Sequence, residues 1–421
     1  MKTAIVIGAG PRGRLAYLDK LVKNGVKIVG VADLYEENVQ FVKNTYNVPD
    51  SGCFLSYQEM LSHGKMADIA LICTNDRDHV EPFRICAQQG YHILLEKPIS
   101  PFPAEVAEIE RICDNYQRTV MICHVLRYTP FFSTLKQIIS SGKIGKIMSI
   151  NHNENMAWWF AVNNFVRGKW NNSDTTSPLI LAKCCHDMDI LVYLTGKKCL
   201  RLSSFGSVGY FNAQNAPEGA GTRCTVDCAI ADTCPYNVMK FNINPPPTIA
   251  KFRASSYIED EESLRQDMAT SPWGRCVFKC DNNVADHQVV AMEFEDNITA
   301  VFTVSAFTYD HGRTIKVMGT LGEIGGNLET GELEVKVFGE HQTEKMVVKN
   351  DILQHGGGDE GLVKAFLQCI DGDNKSNLTS AKESLHSHMM AFAAEESRQN
   401  HGTVVDLMEF SAHYKQNPIQ E

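Results

Sequence analysis

The chain has 421 residues, 43% of them hydrophobic, and a formal net charge of −10 with acidic and basic residues mixed along its length. That length suits two domains and a large core, and the charge leaves no basic patch for a nucleic-acid partner. No apolar run approaches the roughly 20 residues of a membrane span, and the first strand begins by residue 4, which leaves no room for a signal peptide and makes the cytoplasm the expectation. In such a compartment the 14 cysteines read as thiols or metal ligands before disulfides.

The first elements are a short apolar run, Ala4 to Ile7, the turn Gly8-Ala-Gly10-Pro11-Arg12-Gly13, and a helix with Leu15, Leu18, Leu21 and Val22 on one face. Strand, glycine turn and helix in that order form a dinucleotide cradle. Gly8 makes the turn, Gly10 lets a pyrophosphate approach the backbone, and Gly13 lets helix and strand pack closely. The helix start then offers its free N–H groups to the phosphates. A second strand, Val26 to Ala32, ends at Asp33, where a carboxylate accepts ribose hydroxyls and repels a 2′-phosphate. NAD is therefore expected. Arg12 leaves NADP open, since it is able to meet that phosphate.

Strands alternate with helices up to about residue 123. Ala67–Cys73 is a buried strand followed by Thr74-Asn75-Asp-Arg-Asp-His79; a helix runs from Val80 to Gly90. His92–Leu95 is a strand leading into Glu96-Lys97-Pro98. Another helix carries Val106, Ile109 and Ile112, and a strand spans Thr119–His124. This alternation predicts a doubly wound parallel sheet with its ligand at the carboxyl ends of the strands. Asp33, Asn75, Lys97 and His124 all fall at such ends. Pro98 holds Lys97 extended, and the positive charge of an oxidised nicotinamide beside it favours the neutral amine, the form that accepts a proton.

The second domain is expected over 124–421. Ile147–Asn155 alternates as a strand. Trp158, Trp159, Arg167 and Trp170 then crowd one short stretch, which suits a wall against the apolar faces of a sugar ring, or else a core or a subunit contact. Lys183-Cys184-Cys185-His186-Asp187-Met188-Asp189 leads into a helix ending at Gly196, with His186 and Asp189 on one face. Residues 212–285 read as an irregular insertion. It holds Pro245-Pro246-Pro247, the acidic stretch Glu259–Glu262, and Cys224-x3-Cys228-x5-Cys234, with Cys276 and Cys280 downstream. A structural zinc site needs four such ligands, but the spacing departs from paired CxxC, so plain thiols and a disulfide stay open. Beyond it, Val290–Phe294 and Ile298–Val304 form a hairpin across Asp296-Asn297, and strands follow near Thr314–Met318 and Leu333–Val337. His355-Gly-Gly-Gly-Asp359 leads into a helix over Leu362–Ile370. Asp286, His287 and His311 stand near strand starts, and Ser384–Ser397 reads as a core helix.

GAGPRG, Asp33, CTNDRDH and EKP together resemble the Gfo/Idh/MocA oxidoreductases, relatives of glucose–fructose oxidoreductase and inositol dehydrogenase. The resemblance implies a Rossmann domain followed by an α+β domain with an open, mostly antiparallel sheet whose exposed face makes dimers or tetramers. It assigns the cofactor to Gly8, Gly10, Pro11, Arg12, Gly13, Asp33, Thr74, Asn75, His79, Glu96 and Lys97, and catalysis to Lys97 relayed by His186. Arg127, Tyr128, Trp159, Arg167, Lys183 and Asp189 are left to line a carbohydrate site. The family pattern has an aspartate where this chain has Ala182, with Lys183 beside it, so the substrate geometry is altered or the substrate is anionic. The implied activity is NAD-dependent hydride transfer at a ring carbon of a sugar or sugar acid. The alternatives are a glycosidase working through transient oxidation and elimination, and a non-catalytic sensor of NAD or sugar.

Overall fold

The computed structural model describes residues 1–242, 260–349 and 352–416; Pro245–Pro247 and Glu259 of the insertion lie outside them. Six strands form the first sheet: β1 Thr3–Ile7, β2 Lys27–Ala32, β3 Cys53–Phe54, β4 Ile69–Ile72, β5 His92–Leu95 and β6 Val120–Ile122. Their order is 3-2-1-4-5-6 and every pairing is parallel. The strand order reverses between β1 and β4, so a crevice opens between the ends of those two strands. All four residues of β4 are buried, as a sheet covered on both faces requires.

The second sheet has nine strands: β7 Ile147–Ala157, β8 Cys199–Ser207, β9 His287–Phe294, β10 Ile298–Thr308, β11 Gly312–Gly319, β12 Gly322–Asn327, β13 Glu332–Val337, β14 Glu344–Val347 and β15 Val405–Asp406. Only the central pair β7–β10 is parallel. The β9–β10 turn places Asp296 and Asn297 both at φ 60°, the left-handed region that such a tight hairpin demands. Helices Pro130–Ser140, Cys185–Thr195 and Ala381–Gln399 cover one face. The other face leaves Met148, Phe205, Val301 and Phe307 exposed.

Two features of the packing lie outside any local pattern. Helix Gly358–Ile370, far along the chain, returns to the first sheet: Leu362, Val363 and Phe366 share a core with Val6, Tyr17 and Leu71. In β7 the polar His152 and Glu154 are buried along with Ile147, Ile150, Met156 and Ala157. These two polar residues thus enter the core in phase with Ile150 and Met156.

Candidate active site

The glycine turn is shaped by close approach. Gly8 sits at φ +86°, and a Cβ there would lie 2.6 Å from the backbone of Cys73 and Thr74, so the ends of β1 and β4 meet only over a glycine. Gly13 is as tight, with a would-be Cβ 2.5 Å from the Gly8 carbonyl oxygen. Gly10 is the opposite case: a Cβ there would meet nothing within 4 Å. That open floor, beside a helix capped at Pro11 and starting at Arg12, fits a pyrophosphate. The helix opens wide over Arg12–Leu18 before tightening over Asp19–Lys23. Asp33 follows β2. Its Oδ2 accepts the Ala9 N–H at 2.7 Å and its Oδ1 accepts the Tyr35 N–H at 2.9 Å, so the carboxylate is fixed at the turn.

Arg12 points elsewhere. Its Nε donates to Glu96 at 2.6 Å and its Nη2 to Asp359 at 3.1 Å and to Tyr17. Its charge is met by two carboxylates. Glu96 is only 4% exposed. Burial pushes its carboxyl up, and Arg12 and Lys97 outweigh that and hold it below the ordinary value. One Glu96 oxygen takes Arg12 and Tyr17 while the other accepts the Lys97 N–H at 2.8 Å. Glu96 is therefore a strut between the nucleotide turn and the backbone of Lys97. His79, also buried, spans the Pro98 carbonyl at 2.8 Å and the Thr74 carbonyl at 3.2 Å, tying the ends of β4 and β5. Thr74 Oγ1 donates to the Asp78 carbonyl, and Asn75 is exposed beside Lys169.

Lys97, before a cis peptide to Pro98, sends its Nζ across the cleft to the Ala182 carbonyl at 2.8 Å. The chain thus meets the lysine with backbone at the position where the family pattern has a carboxylate. His186 lies one turn on, 4% exposed, with Nδ1 lacking a hydrogen-bond partner. Burial drives its imidazole well below 6.5, and the Lys97 charge acts in the same direction. Both effects hold His186 neutral. The rings of His124 and His355 stand 5.7 and 6.2 Å away, so the glycine loop before helix Gly358–Ile370 reaches this same site.

Lys183 is not an unanswered cation. Its Nζ lies 3.3 Å from Glu154 and 4.9 Å above the Phe160 ring. Glu154 also meets Arg313 at 2.7 Å, and Arg313 grips Asp187, whose Oδ1 lies 2.8 Å from His152 Nε2 as well. Two cations face two carboxylates. Burial raises Asp187, and Arg313 and His152 overcome it and hold it far below the carboxylate range. His311, pushed by burial down to about 4, packs on Phe160 and Trp159 next to this group.

The remaining expected substrate residues are spent internally. Arg127 and Asp189 form a two-pronged pair at 2.7 and 2.8 Å, both almost wholly buried, and Arg127 also donates to the Leu378 carbonyl. The Tyr128 hydroxyl accepts the Leu378 N–H. These three fasten the segment before the long helix Ala381–Gln399. Arg167, 1% exposed, donates to the carbonyls of Arg275 and Tyr236 and so anchors the insertion. Of the tryptophans, Trp159 joins the Phe160–His311 cluster, Trp158 packs on Tyr236 and Trp170 on Phe165. Asp286 and His287 pair with each other at 2.7 Å beyond this group. Glu154, Asp187, Arg313, Asp359 and Tyr17 were not singled out from sequence. For Glu154 the signal was present, because it shares the phase of Ile150 and Met156 in β7.

A glycine cradle at the reversal point, an acidic residue closing β2, and a lysine and buried histidine meeting across the cleft define a dinucleotide-binding oxidoreductase. Residues 2–124 match the NAD-binding Rossmann domain of the Gfo/Idh/MocA oxidoreductase family and residues 136–407 match its C-terminal α/β domain. The chain belongs to that family. It is 22% identical over 325 residues to the YteT protein of Bacillus subtilis, covering 73% of this chain and 74% of that one. It is 21% identical over 208 residues to a myo-inositol 2-dehydrogenase of Thermotoga maritima, covering 48% and 58%. An oxidoreductase from Agrobacterium radiobacter, solved with NAD+, L-tartaric acid and magnesium, shares the fold at a TM-score of 0.69 and 15% identity over 97% of this chain and 99% of its own. Among the described residues no helix is long and apolar enough to cross a membrane, and no three His, Cys, Asp or Glu are grouped to hold a metal ion. The zinc expectation for Cys224, Cys228 and Cys234 therefore finds no preformed ligand set.

Proposed function

We propose that the protein is an NAD-dependent dehydrogenase acting on a secondary alcohol of a neutral polyol or sugar ring. The carrying observation is Lys97 Nζ reaching Ala182 across the cleft beside neutral, buried His186. Bound in the cradle, NAD supplies the hydride acceptor. The chain's share is orientation and proton management. Lys97, as the neutral amine, takes the hydroxyl proton as the C–H electron pair leaves and the C–O bond becomes a carbonyl. His186, held neutral by burial, relays that proton onward rather than holding it. His355, half-exposed on its glycine loop, lies on the way to solvent. Glu154 answers Lys183, which favours an uncharged substrate over a sugar acid.

A panel of inositols, hexoses and uronates with NAD, read at 340 nm, tests this. Neutral polyols should give NADH and uronates should not; the reverse order sinks the substrate reading. Lys97→Ala should lower turnover about 10²- to 10⁴-fold while NAD still binds, and unchanged turnover would end the proposal. The glycosidase reading rests on a 27% match over 152 residues to a glycosyl hydrolase family 109 protein of Phocaeicola vulgatus, 35% of that protein. Aglycone release without net NADH would favour it. We place the contact between copies on the uncovered face of the second sheet, which light scattering of Val301→Glu against the parent would test.

A further inference from the structure

The insertion carries a cluster that hydride transfer does not use. Cys224, Cys228, Cys234 and Cys276 line one cavity of about 10 Å³, room for roughly one water, together with Arg167 and otherwise mostly apolar side chains. The distant fourth cysteine is brought in by backbone. Arg223 and Arg275 form an isolated antiparallel bridge, the Cys224 N–H donates to the Gly274 carbonyl at 2.9 Å, and the Cys276 N–H donates to the Thr222 carbonyl at 2.8 Å. Cys280 stays outside, its thiol donating to the Cys276 carbonyl.

Arg167 Nη2 lies 3.5 Å from Cys224 Sγ. A soft cation suits four cysteines gathered on one small cavity, because coordination deprotonates a thiol outright. Cys224, Cys228 and Cys234 stand in turns and loops, so they can close on an ion without breaking a helix or strand.

We propose that Cys224, Cys228, Cys234 and Cys276 together bind a thiophilic metal centre through four thiolates, with Arg167 offsetting part of the negative charge. Its role is to hold the cysteine-bearing turns of the insertion behind the stretch that bears Trp159. The chemistry is shared by a single Zn²⁺ and by an iron–sulfur cluster, and elemental analysis separates them.

The full chain, purified without chelator, should carry about one zinc, or iron with matching acid-labile sulfide and a brown colour. Cys224→Ser and Cys276→Ser should each reduce the metal to below about a fifth of the parent's, whereas Cys280→Ser should leave it unchanged. If the serine variants do not fold, the reduced, metal-stripped parent is titrated with Co²⁺. The intense visible bands of a tetrahedral tetrathiolate support the site. Parent protein that purifies without metal and takes up no Co²⁺, or Cys276→Ser with the parent's metal content, overturns it.

Discussion

Lys97 is held from both ends: its backbone N–H on Glu96, its amine on the Ala182 carbonyl. Replacing Glu96 with Gln keeps the shape but weakens the Arg12 contact, so turnover should fall more than substrate KM rises, which steady-state kinetics would show. The buried group around Arg313 carries a different risk. Arg313→Met leaves Asp187 and Glu154 ionised in the core with too few partners, and breaking such a pair costs about 3–5 kcal/mol. Urea unfolding should register that loss. A variant as stable as the parent would show that the charges are not coupled as their 2.7 Å contacts indicate.

Among the elements, the glycine turn separates folding from binding. Gly8→Ala forces a Cβ into the backbone of Cys73 and Thr74 at an unfavourable φ, which should cost at least about 1–3 kcal/mol. Gly10→Ala meets open space, so its stability should stay within about 0.5 kcal/mol of the parent. Its methyl group takes the room proposed for the pyrophosphate, so NAD affinity should drop by about tenfold or more, roughly 1.4 kcal/mol. Calorimetry of both variants would check the pair; equal effects on stability and binding in the two would refute the division.

For the whole molecule, several imidazoles are buried in neutral form. Burial takes His388 down to about 3 and His311 to about 4, and pushes His124 and His186 well below 6.5. In the unfolded chain each titrates near about 6.5. Below that pH the unfolded state binds more protons than the folded one, so stability falls as pH falls, from about 6.5 down towards 4 and 3. The thermal midpoint should therefore drop between about pH 7 and pH 5, before most carboxylates titrate. A flat profile over that window would mean the histidines become charged without unfolding.

The first sheet and the places of Lys97 and His186 in their elements were legible because each depends on local signals: alternation, glycine at fixed intervals, a lysine ending a strand and a histidine at the start of a helix. Arg12, Arg127, Arg167, Asp189 and Glu96 were read as ligand contacts because a charged residue near a cleft looks alike whether it faces the ligand or another charge. Only the tertiary structure chose between these. It brings Asp359 to Arg12, Asp189 to Arg127 and Glu154 to Lys183 from far along the chain, since a charge removed from water must find its partner wherever the fold supplies one. The same holds for Cys276, which no spacing rule placed beside Cys224. Periodicity and turn chemistry determined the elements and the dinucleotide cradle; long-range packing decided which charged side chains the cleft retains.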